Sequence, residues 1–194
     1  LRPHQINALD AMANHSKRQV IVPTGGGKTM CMIEDAKRVF RTQEVATIVV
    51  VAPRILLAEQ LCSEFLETGE FNDVRVMHVH SGETEHFSST KVSDIRYHNF
   101  LCYESNANQI IFTTYHSLHR IQESDIVVDV VYFDEAHNSV QRNFFPATEY
   151  FSNEADRVYF FTATRKTSVI VNKPGMNDQE VYGDIICRVS APEL

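Results

Sequence analysis

At 194 residues, 43% hydrophobic and 22% charged, the chain has the composition of an ordinary globular protein, long enough for one well-packed domain. No apolar run approaches the roughly 20 residues that a bilayer span needs, which argues against membrane insertion. A net charge of −7 excludes a surface that is basic all over, but not a local stripe of Arg and Lys on a phosphodiester backbone.

In chain order, Ile6, Leu9 and Met12 recur at helical spacing, predicting a helix from His4 to about His15, followed by a strand at Val20-Ile21-Val22. A second helix is expected from Lys28 to about Arg41. Ala46 to Ala52 is a nearly continuous β-branched run, the mark of a strand buried on both faces, and Pro53 ends it. Residues 54–67 carry Ile55, Leu57, Ala58, Leu61 and Phe65 on one helical face, and Val74 to Val79 reads as a third strand. Glu83 to Ser89 reads as a loop and Val92 to Tyr103 as a short helix. Strand Gln109–Thr113, helix Tyr115–Ile121, strand Ile126–Phe133, helix Asn143–Phe151 and strand Arg157–Phe161 follow, with a last strand over Val181–Ser190. The alternation predicts an α/β fold: a mostly parallel sheet with helices on both faces and a ligand site at the carboxyl ends of the strands. Cys31, Cys62, Cys102 and Cys187 lie far apart with no C-x-x-C pair, which fits reduced thiols in a cytoplasmic protein and neither a zinc ribbon nor a disulfide scaffold. The amino terminus has no targeting pattern and Leu1 is not an initiator methionine, so an excised segment is expected.

Two motifs carry chemistry. Pro23-Thr24-Gly25-Gly26-Gly27-Lys28-Thr29 joins the first strand to the second helix. Its glycines let successive N–H groups face one anion, and the helix that begins at Lys28 adds the positive end of its dipole. Lys28 then reaches terminal phosphates and the Thr29 hydroxyl ligates Mg²⁺. The pattern departs from the general phosphate loop in one place: Val22 stands where a leading glycine is usual. The second motif, Asp134-Glu135-Ala136-His137, leaves the end of the buried strand 126–133. Nucleotide hydrolysis needs one carboxylate to hold the metal and another group to orient or deprotonate water; Asp134 suits the first task and Glu135 the second.

Together these residues resemble the superfamily-two helicases and translocases, specifically their first RecA-like P-loop domain, in the branch of restriction-enzyme helicase subunits of types I and III with a DEAH box. The resemblance covers nearly the whole chain. Leu1-Arg2-Pro3-His4-Gln5 is similar to that branch's adenine-reading segment, which implies that Gln5 pairs with the adenine edge and Arg2 assists. Residues 23–29, 52–60, 113–118, 134–137 and 162–164 are similar to motifs I, Ia, Ib, II and III. The resemblance implies ATP and Mg²⁺ as cofactors, DNA as partner with RNA as the alternative, and a second RecA-like domain of the same polypeptide. It further implies that His137 couples the nucleotide site to that domain, and that residues 1–190 form the first motor domain with 191–194 starting the linker. On physical grounds Pro53 and Arg54, between a strand end and a helix start, suit a nucleic-acid phosphate, and Thr113 and Thr114 offer hydroxyls to a backbone without reading bases. Thr162 and Thr164 stand where short hydroxyls link the acids of motif II to bound strand.

Nothing after Thr164 resembles the Gln-x-x-Gly-Arg-x-x-Arg segment with which the family's second domain closes the ATP site. An arginine finger is worth about 10³–10⁵ in rate, so these residues alone are expected to bind Mg-nucleotide weakly and hydrolyse it barely. Two other readings stay open beside the motor: a double-strand translocase that does not separate strands, and a non-catalytic nucleotide-gated module. A kinase on the same loop leaves motifs Ia and Ib unexplained. His78 and His80 share a strand face with His86 nearby, but the neighbouring sequence shows no cysteine or acidic ligand pattern, and a metal centre there is set aside.

Overall fold

The computed structural model describes residues 1–14, 16–23 and 27–188. Thr24, Gly25 and Gly26 of the glycine loop lie outside the described residues, as do residues 189–194 with the linker expected at 191–194. Among the described residues the strands form one eight-stranded sheet in the order β4-β3-β5-β2-β6-β7-β1-β8, parallel in every pair. The strands are β1 (Lys17–Ile21), β2 (Thr47–Ala52), β3 (Arg75–Val79), β4 (Phe87–Ser88), β5 (Gln109–Thr114), β6 (Val130–Phe133), β7 (Arg157–Thr162) and β8 (Asp184–Arg188).

Alternate residues of the central strands feed two separate cores, as the two-residue repeat of a strand requires. Ile48, Val50, Phe112, Tyr132, Tyr159 and Phe161 pack beneath helices α1 (Pro3–Asn14), α2 (Lys28–Thr42) and α3 (Ile55–Glu67). Val49, Val51, Ile111, Phe133, Val158 and Phe160 pack beneath α4 (Val92–Glu104), α5 (Leu118–Ser124), α6 (Phe145–Glu154) and α7 (Gln179–Tyr182). Both faces are covered, which explains why every residue of β2 and β5 is buried and why β2 is apolar from Ile48 to Ala52. No described helix is long and apolar enough to cross a membrane.

The elements differ from the sequence expectation where side chains compete with periodicity. Helix α5 begins at Leu118 instead of Tyr115, because Tyr115 turns into the core and its hydroxyl donates to the Asp134 carbonyl at 2.7 Å. The strand expected from Ile126 begins at Val130, after Asp129, whose carboxylate accepts the Thr47 N–H at 2.8 Å. Val181 and Tyr182 belong to α7, capped by Asp178, and Gly183 at φ 66° turns the chain into β8. A Cβ at Gly183 would collide with the Lys17 carbonyl, so only glycine fits that turn. The stretch expected as a loop at 83–89 contains the two residues of β4, and a 3₁₀ turn at Ala136–Val140 follows β6.

A buried polar network ties the first face together. The Asp35 carboxylate on α2 accepts both guanidinium nitrogens of Arg157, at 3.2 and 3.3 Å, and the Tyr132 hydroxyl at 2.5 Å. Arg157 also donates to the Tyr159 hydroxyl, which donates to the Met12 carbonyl of α1.

Candidate functional site

The carboxyl ends of β1, β7, β6, β2 and β5 share one edge of the sheet: Ile21 is level with Thr162, Phe133 with Phe160, Val51 with Phe133, and Ala52 with Thr114. Each sequence motif leaves the sheet along this edge. Gly27 caps α2 in the left-handed conformation, φ 75°, and a Cβ there would strike the Gln5 amide and lie 2.8 Å from an Arg2 guanidinium nitrogen. Glycine is therefore required at this point both for the turn and for the approach of α1. The Gln5 Oε1 accepts the Arg2 N–H at 2.7 Å, and its amide donates to the Gly27 carbonyl at 3.1 Å. The segment Arg2–Gln5 thus lies directly against the exit of the glycine loop.

Across the edge, Lys28 at the start of α2 meets both acids that follow β6. Its Nζ lies 3.0 Å from Asp134 Oδ1 and hydrogen-bonds to Glu135 Oε1. Burial alone would lower the Lys28 pKa, but the carboxylates of Asp134 and Glu135 outweigh it and hold the ammonium above its ordinary value. Asp134 is 5% exposed, and burial raises its pKa above the usual carboxylate range despite Lys28. Its Oδ1 is buried, with the Lys28 ammonium at ion-pair distance and no hydrogen-bond donor aligned on it. A buried carboxylate oxygen with a free lone pair is a cation ligand by its chemistry, and Thr29, next to Lys28 in the first turn of α2, offers a hydroxyl oxygen of the kind that Mg²⁺ accepts. These residues fit Mg²⁺. The main chain at Glu135 is itself unusual: φ 47°, ψ 54° is left-handed for a residue with a long side chain, a conformation that costs of order 1–3 kcal/mol and persists where surroundings over-determine it.

From Glu135 a polar chain runs to β7. His137 Nδ1 lies 3.8 Å from Glu135 Oε2 and 3.0 Å from Thr162 Oγ1. The Thr162 hydroxyl donates to the Thr164 carbonyl at 2.9 Å and accepts the Thr164 N–H, so His137 is the donor to it and carries its proton on Nδ1. Thr162, fully buried, thereby joins the second motif to the third.

The expected backbone contacts divide. Pro53, Arg54 and Thr114 line one groove with His80, Ser81 and His116, and Arg54, exposed, is the residue before α3. Thr113 does not reach it: the residue is fully buried and its hydroxyl donates to the Val79 carbonyl at 2.7 Å, because side chains alternate along β5 and Thr113 lies on the face opposite Thr114. Thr113 is a sheet residue, and Thr114 alone of the pair faces the groove.

The family described as "Type III restriction enzyme, res subunit" matches residues 1–167. Among solved structures, the chain is similar to a nuclease-deletion mutant of the Type ISP restriction-modification enzyme LlaGI in complex with a DNA substrate mimic, with a TM-score of 0.79, 21% identity, and coverage of 100% of this chain and 20% of that one. It is also similar to the UvsW helicase from bacteriophage T4, with a TM-score of 0.65, 15% identity, and coverage of 95% and 58%. The Hef helicase domain of Pyrococcus furiosus gives a TM-score of 0.60, 19% identity, and coverage of 93% and 34%. At these identities the likeness is one of fold, and the chain spans about a fifth of the length of the LlaGI chain. No curated protein sequence matches the chain.

Proposed function

The chain belongs to the family of the type III restriction enzyme res subunit, and from that premise we propose that it is the ATP-binding motor domain of an ATP-dependent DNA helicase or translocase. The observation that carries the proposal is the meeting of Lys28 with Asp134 and Glu135, brought from two strands separated by β7 to one edge of the sheet. An ammonium at a helix start beside two acids at a strand end is the equipment of phosphoryl transfer.

In this reading the glycine loop from Pro23 to Thr29 cradles the phosphates, and Lys28 exchanges its carboxylates for the terminal phosphate. Gln5 and Arg2, resting against Gly27, meet the adenine beyond the loop. Thr29 and Asp134 would hold Mg²⁺, which would supply charge neutralisation for the phosphates. Glu135, released from Lys28, accepts the proton of the attacking water, its carboxylate aimed by the left-handed main chain. His137 donates to Thr162, so a change at Glu135 is passed to the segment after β7 and to the face on which a second RecA-like domain docks. Arg54 and Thr114 hold a nucleic-acid phosphate in their groove, giving sequence-independent, salt-sensitive binding.

The test is Glu135→Gln in the full-length protein. The motor reading expects ATP binding retained and nucleic-acid-stimulated hydrolysis lost, whereas unchanged activity identifies a nucleotide-gated module and contradicts the proposal. Strand displacement set against triplex displacement separates unwinding from double-strand translocation.

A further inference from the structure

A second cluster of reactive side chains lies under α3, away from the nucleotide edge. Cys62 hangs from α3 over β3, and His78 of β3 rises on the same face, stacked on Phe112 with centroids 5.6 Å apart. His86, between β3 and β4, stacks on His78 at 5.8 Å. The Cys62 Sγ and one ring nitrogen from each histidine lie within 4.8 Å of one another. All three line a cavity of about 710 Å³ whose rim carries Glu59, Glu83 and Glu85. His78 is 1% exposed, and its Nε2 is buried with no hydrogen-bond partner. A buried polar atom left alone in a native core calls for a partner.

We propose that Cys62, His78 and His86 bind a thiophilic divalent cation of the zinc type, with water or a rim carboxylate in a fourth position. One thiolate and two imidazoles form a donor set that suits Zn²⁺ and disfavours Mg²⁺. With metal–sulfur and metal–nitrogen bonds of about 2.3 and 2.1 Å, tetrahedral ligand atoms stand about 3.3–3.6 Å apart, so the cluster closes on the ion by little more than an ångström.

The hydrogen bonds around His78 say what must change on binding. Gly82 N–H donates to His80 Nδ1 at 3.1 Å, which leaves the His80 proton on Nε2, where it is shared with His78 Nδ1 at 3.1 Å. His78 then accepts at Nδ1, and its own proton occupies the lone Nε2. Ligation requires the reverse arrangement: His78 loses the Nε2 proton and donates from Nδ1 to His80 Nε2, while His80 moves its proton to Nδ1 and gives up Gly82. The histidine pair keeps two protons throughout, and the one proton released comes from the Cys62 thiol. His80 becomes the acceptor that orients the ligating ring, a common arrangement at metal sites. Burial, with His80 and His86 beside it, lowers the His78 pKa, which leaves the ring uncharged and the tautomer exchange as the change that ligation needs.

The consequence is mechanical. The ion ties α3, β3 and the segment leading to β4 into one unit, and His80, which answers to it, is also a wall of the groove that holds Arg54 and Thr114. None of the three ligands belongs to the nucleotide edge, so the site holds or fails independently of the motor reading.

Purified chain titrated with Co²⁺ is expected to bind about one equivalent with intense tetrahedral absorption and a thiolate-to-cobalt charge-transfer band, which added Zn²⁺ displaces. Zn²⁺ should also raise the thermal midpoint by several degrees, by mass action on the folded state. Cys62→Ser should abolish the charge-transfer band. His86→Ala, at a half-buried position that the fold tolerates, should weaken cobalt binding at least about tenfold, each tenfold being about 1.4 kcal/mol. A chain that folds but shows no charge-transfer band, or a band that survives Cys62→Ser, overturns the proposal.

Discussion

Two buried aspartates in this domain face a cation across neighbouring elements, and they are built for opposite ends. Asp35, 1% exposed, receives a two-pronged Arg157 and the Tyr132 hydroxyl, so both of its oxygens are satisfied within the core. Asp134, 5% exposed, has one oxygen without a hydrogen bond, a pKa raised by burial, and a neighbour, Glu135, held in left-handed backbone. The first pair staples α2 to β6 and β7. The second holds an unfinished coordination shell at the edge where nucleotide is proposed to bind. What separates a structural ion pair from a functional one here is whether the protein supplies the last partner itself.

That contrast can be broken by mutation. Asp35→Ala leaves the half-buried Arg157 and the buried Tyr132 hydroxyl without their acceptor and should cost up to about 3–5 kcal/mol in stability, read by urea unfolding. Asp134→Asn should do the reverse: hydrolysis by the full-length protein falls at least about 10²–10³-fold, while the urea midpoint holds or rises because a poorly compensated buried charge is gone. If the two aspartates cost similar stability, the distinction drawn between them is wrong. Tyr132→Phe, which removes one of Asp35's donors but keeps the ring, should cost about 1–3 kcal/mol with nucleotide binding unchanged.

The smallest effect sharpens the comparison with a third buried network. His98 Nδ1 meets Gln109 Oε1 at 2.9 Å, and burial lowers the His98 pKa below its ordinary 6.5, although the bond to Gln109 opposes this. A histidine depressed in the folded state adds stability that is present above the unfolded value of about 6.5 and is lost as pH falls through the folded value. Unfolding midpoints compared at pH 8 and pH 5 should therefore fall less in His98→Gln than in the parent chain.

The sheet and its helices were legible in the sequence because β2 is a nearly continuous β-branched run, β5 carries Ile110-Ile111-Phe112 at its centre, and α2 and α3 keep helical spacing. The glycine loop and the Asp134–Glu135 pair stood out in the sequence as motifs because each is made of a few adjacent residues. Where long-range partners decide, the sequence was mute. Tyr115 leaves its expected helix for the Asp134 carbonyl, 19 positions away, and Thr113 spends its hydroxyl on the neighbouring strand. Asp35 and Arg157, 122 positions apart, give no joint signal. Cys62 was closer to recognition: it lies on the same apolar stripe of α3 as Ala58, Leu61 and Phe65, so the helix that covers β3 had to bring it toward His78.

Lys28 joins the glycine loop to both acids. A titration of the 194-residue chain with a fluorescent ATP analogue in Mg²⁺ should give weak, saturable binding that Lys28→Ala reduces at least about tenfold, while Tyr132→Phe leaves it unchanged. Equal affinity in the Lys28→Ala chain, shown by its spectrum to be folded, would contradict the assignment of this edge as the nucleotide site.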